Sequence, residues 1–391
     1  MLKLHKLFLN DGHPHSFDEV ITPTEDQRKT LVSAKNAIRD HLRERIRAAT
    51  TTILGMDKMV SPRFRTQGSW TYKTCVQSAH RPPQEIDWDF GVYLPVTVWT
   101  EQDPPPLMAK LYFDLVERAL NDLCQQRGWT LDRSKATCAR VQVAGWAHID
   151  VPLYAAPEDK FREVVEKAMA SNQVGQVSRE SITLDESIDF GEMPGAFWEQ
   201  MDGIHLATRD GKWKPSDPEA VALWFNDRVE EHGVQLRRVC RYLKAWRDHH
   251  WRDGGGPSSV LIMILIAQGF QPSPRRDDLA VESAARLLAD GLRHAVFEPG
   301  IDGGDEDFNR LGPQERSAAA ALADELSRHL KVARSLSPGL TQVAVDTVRT
   351  QFGTRIADNG AFVEPDAGAD VVRRTPESSV LPPVVGASQA G

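Results

Sequence analysis

The stretch QEIDWDFGVYLPV, Gln84–Val96, decides how the rest of the chain is read. Ile86, Trp88, Phe90, Val92, Leu94 and Val96 alternate with Glu85, Asp87, Asp89, Gly91 and Tyr93. A strict period of two over about ten residues predicts a β-strand with one apolar face. Residues i and i+2 of a strand point the same way, so the carboxylates of Asp87 and Asp89 stand side by side. Two such anions repel unless a cation joins them, and oxygen-only ligands suit magnesium or manganese. On its own an Asp-x-Asp pair is usually a solvated surface feature. Here its flanks are strongly apolar.

Working outward, CARVQVAGWAHIDVPLY, Cys138–Tyr154, alternates again. Val141, Val143, Ile149, Val151 and Leu153 share one parity; Arg140, Gln142, His148 and Asp150 share the other. Ala144-Gly145 reads as the turn of a hairpin. Asp150 is therefore placed to supply a third carboxylate from a neighbouring strand. Two metals held about 3.5–4 Å apart by such acids can activate an attacking hydroxyl and stabilise a leaving oxygen. Upstream, Gly68-Ser69 lies in a polar turn-like segment, Pro62–Thr74. A glycine lets backbone approach a phosphate, and the N–H and hydroxyl can bind its oxygens. Alone it is an ordinary turn; followed by Asp-x-Asp and a later Asp, it is the signature of DNA polymerase β-like nucleotidyltransferases.

The remainder is mostly helical. Residues 24–50 carry Thr24 and Gln27 as a capping pair and an apolar stripe through Leu31, Ala34, Ile38, Leu42 and Ile46. Further helices are expected over 107–127, from Ser216-Asp217-Pro218 onward, over 233–251, 276–295 and 313–335. In the 233–251 segment, Leu236, Val239, Cys240, Leu243 and Trp246 face one way. Arg237, Arg241 and Lys244 face another, and we read them as facing a triphosphate pocket. VLIMILIA, Val260–Ala267, is far short of the roughly 20 apolar residues a membrane helix needs, so it reads as a buried helix.

Composition limits the partners. Apolar residues make up 41% and charged residues 26%, ordinary for a soluble chain with a sizeable core. The net charge is −8, from 47 basic and 55 acidic residues, which argues against coating by duplex nucleic acid. Cys75, Cys124, Cys138 and Cys240 form no C-x-x-C pair, so they read as reduced cytoplasmic thiols rather than zinc ligands. The N-terminus lacks the apolar run of a signal peptide. The adjacent His249-His250 diverge on a helix, and His148 reads as a strand histidine, with tuning of Asp150 as the alternative. Beyond about residue 365, Pro, Ser, Gly and Val predict a disordered tail.

Five stretches carry a resemblance: PRFRTQGSWTYKT, QEIDWDFGVYLP, HIDVPLYA, KWKPSDP with WFND after it, and LRRVCRYLKAWRDHHWRDGGGPSS. They span residues 62–259 and resemble the bacterial cGAS/DncV-like nucleotidyltransferases. The resemblance implies an α+β fold: a polymerase β-like core with a helical C-terminal domain and a nucleotide cleft between them. The expected divisions are an N-terminal helical segment packed on the core (1–60), the core (61–212), the helical domain (213–364) and the tail (365–391). Asp87, Asp89 and Asp150 would hold two Mg2+ ions, with Mn2+ as an alternative. Gln67, Gly68 and Ser69 would line the donor triphosphate, Trp70 and Thr71 would also bind the nucleotide, and Tyr72 would stack on a base. Arg140, Ser216, Lys244 and Ser259 would contact the nucleotide, with Asp305 on a purine edge. Two departures stand out. Phe90 replaces an acid found after the pair in the family pattern, and the spacing from Lys244 to Pro-Ser-Ser is one residue longer, which makes Ser258 a rival to Ser259. The implied reaction joins ATP and GTP into a cyclic dinucleotide, 3′,3′-cyclic GMP-AMP, as a second messenger in antiphage defence (CBASS). A linear product, or an inactive nucleotide-sensing scaffold, are the alternatives. In the resembled antiphage operons a terminal glycine is joined to a target by a ubiquitin-transfer-like partner, and the resemblance implies that Gly391 would be that glycine.

Overall fold

The computed structural model describes residues 1–96, 106–159 and 203–366. The alternating stretches form a mixed sheet, as their period requires. Its strands are β2 (Arg63–Thr66), β3 (Ile86–Val96), β4 (Thr130–Asp132), β5 (Cys138–Ala144), β6 (Ala147–Pro157), β7 (His205–Ala207) and β8 (Trp213–Pro215). The order is β2-β3-β6-β5-β4, with β7 pairing with β6 and β8 with β7. β3 and β6 run parallel; β2 on β3 and β5 on β6 run antiparallel. The hairpin predicted at Ala144-Gly145 falls between β5 and β6.

Two helices cover the apolar face: α1 (Glu25–Ala49) and α3 (Pro106–Arg127). Thr24 and Gln27 form the reciprocal capping box that their spacing predicted. Leu31, Ile38, Leu42 and Ile46 join Trp88, Phe90, Val92, Ile149, Val151 and Leu153 in one core. Every second residue of β3 and β6 is thereby taken out of water, which leaves the polar parity facing the other way. The short α2 (Gly68–Thr71) links β2 to the segment leading into β3.

The helical body comprises α4 (Ala220–His232), α5 (Val234–His250), α6 (Ser259–Ala267), α7 (Asp277–Gly291), α8 (Pro313–Ser335) and α9 (Thr341–Phe352). The apolar stripe expected on α5 is fully buried at Leu236, Val239, Cys240, Leu243 and Trp246. The apolar α6 is enclosed by its neighbours, and no described helix is long and apolar enough to cross a membrane. One start differs from expectation. Ser216-Asp217-Pro218 does not open the helix; Asp217 instead accepts from the N–H groups of Glu219 and Ala220, and α4 begins at Ala220.

The segment 1–60 is also divided, where one unit packed on the core was expected. Residues 2–21 belong to the helical body, whereas α1 belongs to the sheet core. β1 (Leu2–Lys3) pairs antiparallel with β9 (Glu364–Pro365). Phe8 and Phe17 pack on Tyr242 and Phe352, with ring centres 4.9–5.6 Å apart. Two ion pairs fasten the segment: Arg241 to Asp18 at 2.6 Å and Lys6 to Glu364 at 2.5 Å. Nothing in the sequence of these residues told of partners as far away as Pro365. Pro365 pairs with Leu2 and the Asp366 N–H donates to the Met1 carbonyl, so no tail begins at 365; residues 367–391, with Gly391, lie outside the described ones.

The two bodies meet through a buried ion pair. Arg65 on β2 donates from Nε and a terminal nitrogen to both oxygens of Glu219, each at 2.5 Å. Their side chains are 7% and 3% exposed.

A candidate active site between the two bodies

Strand register assembles the site. Asp89 lies opposite Asp150, which lies opposite Arg140; Asp87 lies opposite His148, which lies opposite Gln142. Two polar rows thus cross β3, β6 and β5 on the face away from α1 and α3. One ligand atom each from Asp87, His148 and Asp150 lies within 4.8 Å of the others. Asp89 stands beside them over the α2 turn. Gly68 has φ +62°, and a Cβ built there would sit 2.0 Å from Asp89 Oδ2. Only glycine fits that conformation and that approach. Gly68→Ala should therefore displace the turn or Asp89 and cut activity about 100-fold or more, in line with small misplacements at a reacting centre. Initial-rate assays, beside a circular-dichroism check of folding, test this.

The acids fit a divalent cation by their spacing and their electrostatics. Burial first, then the charges of Asp87 and Asp150, push the Asp89 carboxyl up to about 8. A carboxyl held back from ionising by two neighbouring acids is the setting that a bound cation relieves.

A cleft of about 450 Å3 opens over this face. Ser69, Tyr72, Cys75, Gln84, Asp87 and Asp89 line one side; Lys244, Arg247, Asp248, Trp251, Gly254, Gly255 and Ser259 line the other. Lys244 is buried and donates to the Thr74 carbonyl at 2.7 Å. Burial pushes its ammonium down to about 8. Anionic oxygen atoms in the cleft would restore its full charge.

Several predicted residues take other roles. The Gln67 side chain turns inward, donating to Tyr93 Oη at 2.5 Å and accepting from Tyr154 Oη at 3.3 Å. Trp70 stacks on Trp88 at 4.2 Å and donates to the Asp87 carbonyl at 2.9 Å. The Thr71 hydroxyl donates to the Thr66 carbonyl. These three support the turn and the strand rather than line the cleft. Tyr72 lines it, but its ring is 7% exposed and packs edge-on against Phe225. Arg140, expected on a phosphate, instead forms a bidentate pair with Asp150 at 2.7 and 2.8 Å. Arg237 and Arg241 do not join Lys244 at the cleft. Arg241 is spent on Asp18, and Arg237 contacts Asn226. Ser258 is the N-cap of α6, accepting from the Leu261 N–H, whereas Ser259 lines the cleft beside Arg247. Ser216 and the exposed Asp305 lie outside that lining.

The sequence reading missed Glu85, Arg247 and Trp251, and it misjudged His148. His148 is on a strand as expected, but its ring sits between Glu85, at 2.7 Å from Nδ1, and Asp87, at 3.1 Å from Nε2. Burial opposes charge on this ring, yet the proximity of Asp87 prevails and raises its pKa above the usual histidine value. The signal was present: Glu85 shares the parity of Asp87, and His148 that of Asp150. Trp251 and Arg247 gave none beyond their closeness to the glycine run.

A mixed sheet that presents an Asp-x-Asp strand, a third Asp on its neighbour and a glycine turn beneath them has the architecture of a DNA polymerase β-like nucleotidyltransferase. Residues 62–154 match the nucleotidyltransferase domain of the "Cyclic GMP-AMP synthase DncV-like" family, and residues 233–365 match "Cyclic GMP-AMP synthase, C-terminal domain". The chain belongs to this DncV-like family. It is 32% identical over 315 residues to a cyclic GMP-AMP synthase of Vibrio cholerae, spanning 78% of this chain and 70% of that one. A cyclic GMP-AMP synthase of Escherichia coli (strain TW11681) is 35% identical over 264 residues, 66% of this chain. That match spans 58% of the E. coli protein's own length. The V. cholerae di-nucleotide cyclase DncV, solved with GTP and 5MTHFGLU2, superposes with a TM-score of 0.73 and 25% identity, covering 93% of this chain and 98% of that one.

Proposed function

We propose that the chain joins ATP and GTP into a cyclic dinucleotide, 3′,3′-cyclic GMP-AMP, and releases pyrophosphate. The observation that carries this is the acid cluster facing Lys244 and Ser259 across one cleft. The relatives' names support it, and so does the V. cholerae DncV structure solved with the linear intermediate 5′ pppA(3′,5′)pG.

In this reading Asp87, Asp89 and Asp150 hold divalent cations, Mg2+ or Mn2+. Bound there, the cations would lower the pKa of the attacking 3′-hydroxyl and neutralise charge on the phosphates. Ser69, over the Gly68 turn, and Ser259 orient the triphosphate. Lys244 places a positive charge against it from the helical side. Arg140 holds Asp150 by both oxygens and fixes the direction in which that carboxylate meets the hydroxyl. The walls from both bodies hold the two reactants together, which converts a bimolecular encounter into an intramolecular one. A second transfer in the same cleft closes the ring.

Incubation with α-32P-labelled ATP and GTP, then phosphatase, tests the reading. A cyclic product keeps its label because it has no terminal phosphate. A linear product would lose its 5′-terminal label and keep only the one internal phosphate, and loss of all label would mean that no phosphodiester was made. Mass spectrometry after linkage-specific nuclease digestion identifies bases and linkage. The proposed setting is the cytoplasm, with the product acting as an antiphage second messenger.

A further inference from the structure

We propose that His148 is itself a ligand of the cation, through Nε2, and that Glu85 holds it in the ligating tautomer. The proposal rests on the reading that the acid cluster binds a divalent cation. It adds a nitrogen donor to a centre that the sequence presents as carboxylate only.

The geometry is specific. His148 is in register with Asp87 across β3 and β6, and its side chain is 7% exposed. Nδ1 lies 2.7 Å from Glu85 Oε2. A carboxylate there keeps the ring proton on Nδ1 and leaves the Nε2 lone pair facing inward. Glu85 is held in turn by Gln142, whose amide donates to Oε1 at 2.7 Å. Nε2 is buried and makes no hydrogen bond to any described residue. It lies 3.1 Å from Asp87 Oδ1, a contact without hydrogen-bond alignment. A lone pair directed at carboxylate oxygen is repulsive; without a cation a proton on Nε2 offsets that repulsion, and a bound cation would take the proton's place. A cation shared by His148, Asp87 and Asp150, whose ligand atoms lie within 4.8 Å of one another, makes all three contacts attractive.

Such a carboxylate–histidine–metal arrangement orients the ring and raises its basicity. It also changes which ion is preferred. Imidazole suits transition metals, whereas Mg2+ favours oxygen. The centre should therefore gain affinity for Mn2+ relative to an all-oxygen site.

Mn2+ alone, added to the full chain, tests this by pulsed electron paramagnetic resonance. Wild type should show the 14N modulation of a directly bound imidazole. Labelling with 15N-histidine should convert it to the 15N pattern without any substitution, so the result does not hang on a variant that fails to fold. In His148→Gln the modulation should vanish, with Mn2+ affinity falling about ten-fold or more and Mg2+ affinity falling less. Glu85→Gln should keep the modulation while Mn2+ affinity drops about 10–100-fold. Mn2+ bound in an Asp87-dependent way without nitrogen modulation would overturn the histidine ligand and leave the acid centre standing. No Mn2+ binding by wild type would overturn both.

Discussion

The Asp87→Asn, Asp89→Asn double variant is expected to lose at least about 10³-fold in dinucleotide synthesis while becoming more stable than its parent without metal. Three decades correspond to about 4 kcal/mol of transition-state stabilisation, the scale supplied by bound metal charge. The gain in stability has a separate origin. Asp89 titrates near 8 in the folded chain, against 3.8 as a free side chain, first because it is buried and then because Asp87 and Asp150 repel its charge. Between those values the folded chain keeps a proton that the unfolded chain has lost. Stability from this group is therefore complete at low pH and is lost as pH rises through the folded pKa. Asparagine removes both the ionisation and the repulsion, for a gain on the order of 1–2 kcal/mol at pH 8. Thermal melts of parent and Asp89→Asn in EDTA from pH 5 to 9 test this. The two curves should diverge as pH rises, and added Mg2+ should stabilise only the parent. Equal melting temperatures at every pH would remove the electrostatic account of the cluster.

The largest expected loss of stability lies away from the chemistry. Glu219→Ala or Arg65→Ala should cost about 3–5 kcal/mol, because each strands a buried charge whose partner is gone. Both side chains are almost fully enclosed, and the pair is bidentate. The combined Arg65→Met, Glu219→Leu variant should recover most of that loss, because an apolar pair leaves no uncompensated charge. Urea titrations followed by fluorescence give these values directly. The pair also joins the sheet to the start of α4, across the line where the two halves of the cleft meet. The single variants should then raise the KM for nucleotide even at temperatures where the chain is folded. If both single variants unfold at the wild-type midpoint, the buried pair is not what holds the halves in place.

Local period carried most of what could be read in advance. The alternation in 84–96 and 138–154 placed Asp87, Asp89 and Asp150 on one face because a strand's side-chain direction follows from its backbone alone. Thr24 with Gln27 marked the start of α1 because a capping box closes over four residues. The misses lie where distance in sequence is large. Nothing near Asp18 tells that Arg241 will claim it, so the basic stripe on α5 read as a phosphate surface. Gln67 looked like a triphosphate ligand until the tyrosines of β3 and β6 gave it a better-enclosed place. Arg140 and Asp150 were both picked out, but pairing them required the β5–β6 register, which the bulge near Gln142–Ala144 shifts.

The pairing of β1 with β9 bears on how the chain is made. Residues 2–21 are made before their partners on α5, α7, α9 and β9, which follow more than 200 positions later. Until those arrive, Leu4, Leu7, Phe8 and Phe17 have no core to enter, and holding them apart for that long is the kind of exposure that invites aggregation. The sheet core can close first, since its members lie between residues 31 and 207. Assembly should therefore run from the middle of the chain outward. Residues 2–21 are locked only after α9 and β9 have been made, and the cleft gains its second wall only once residues 244–259 have followed the sheet core.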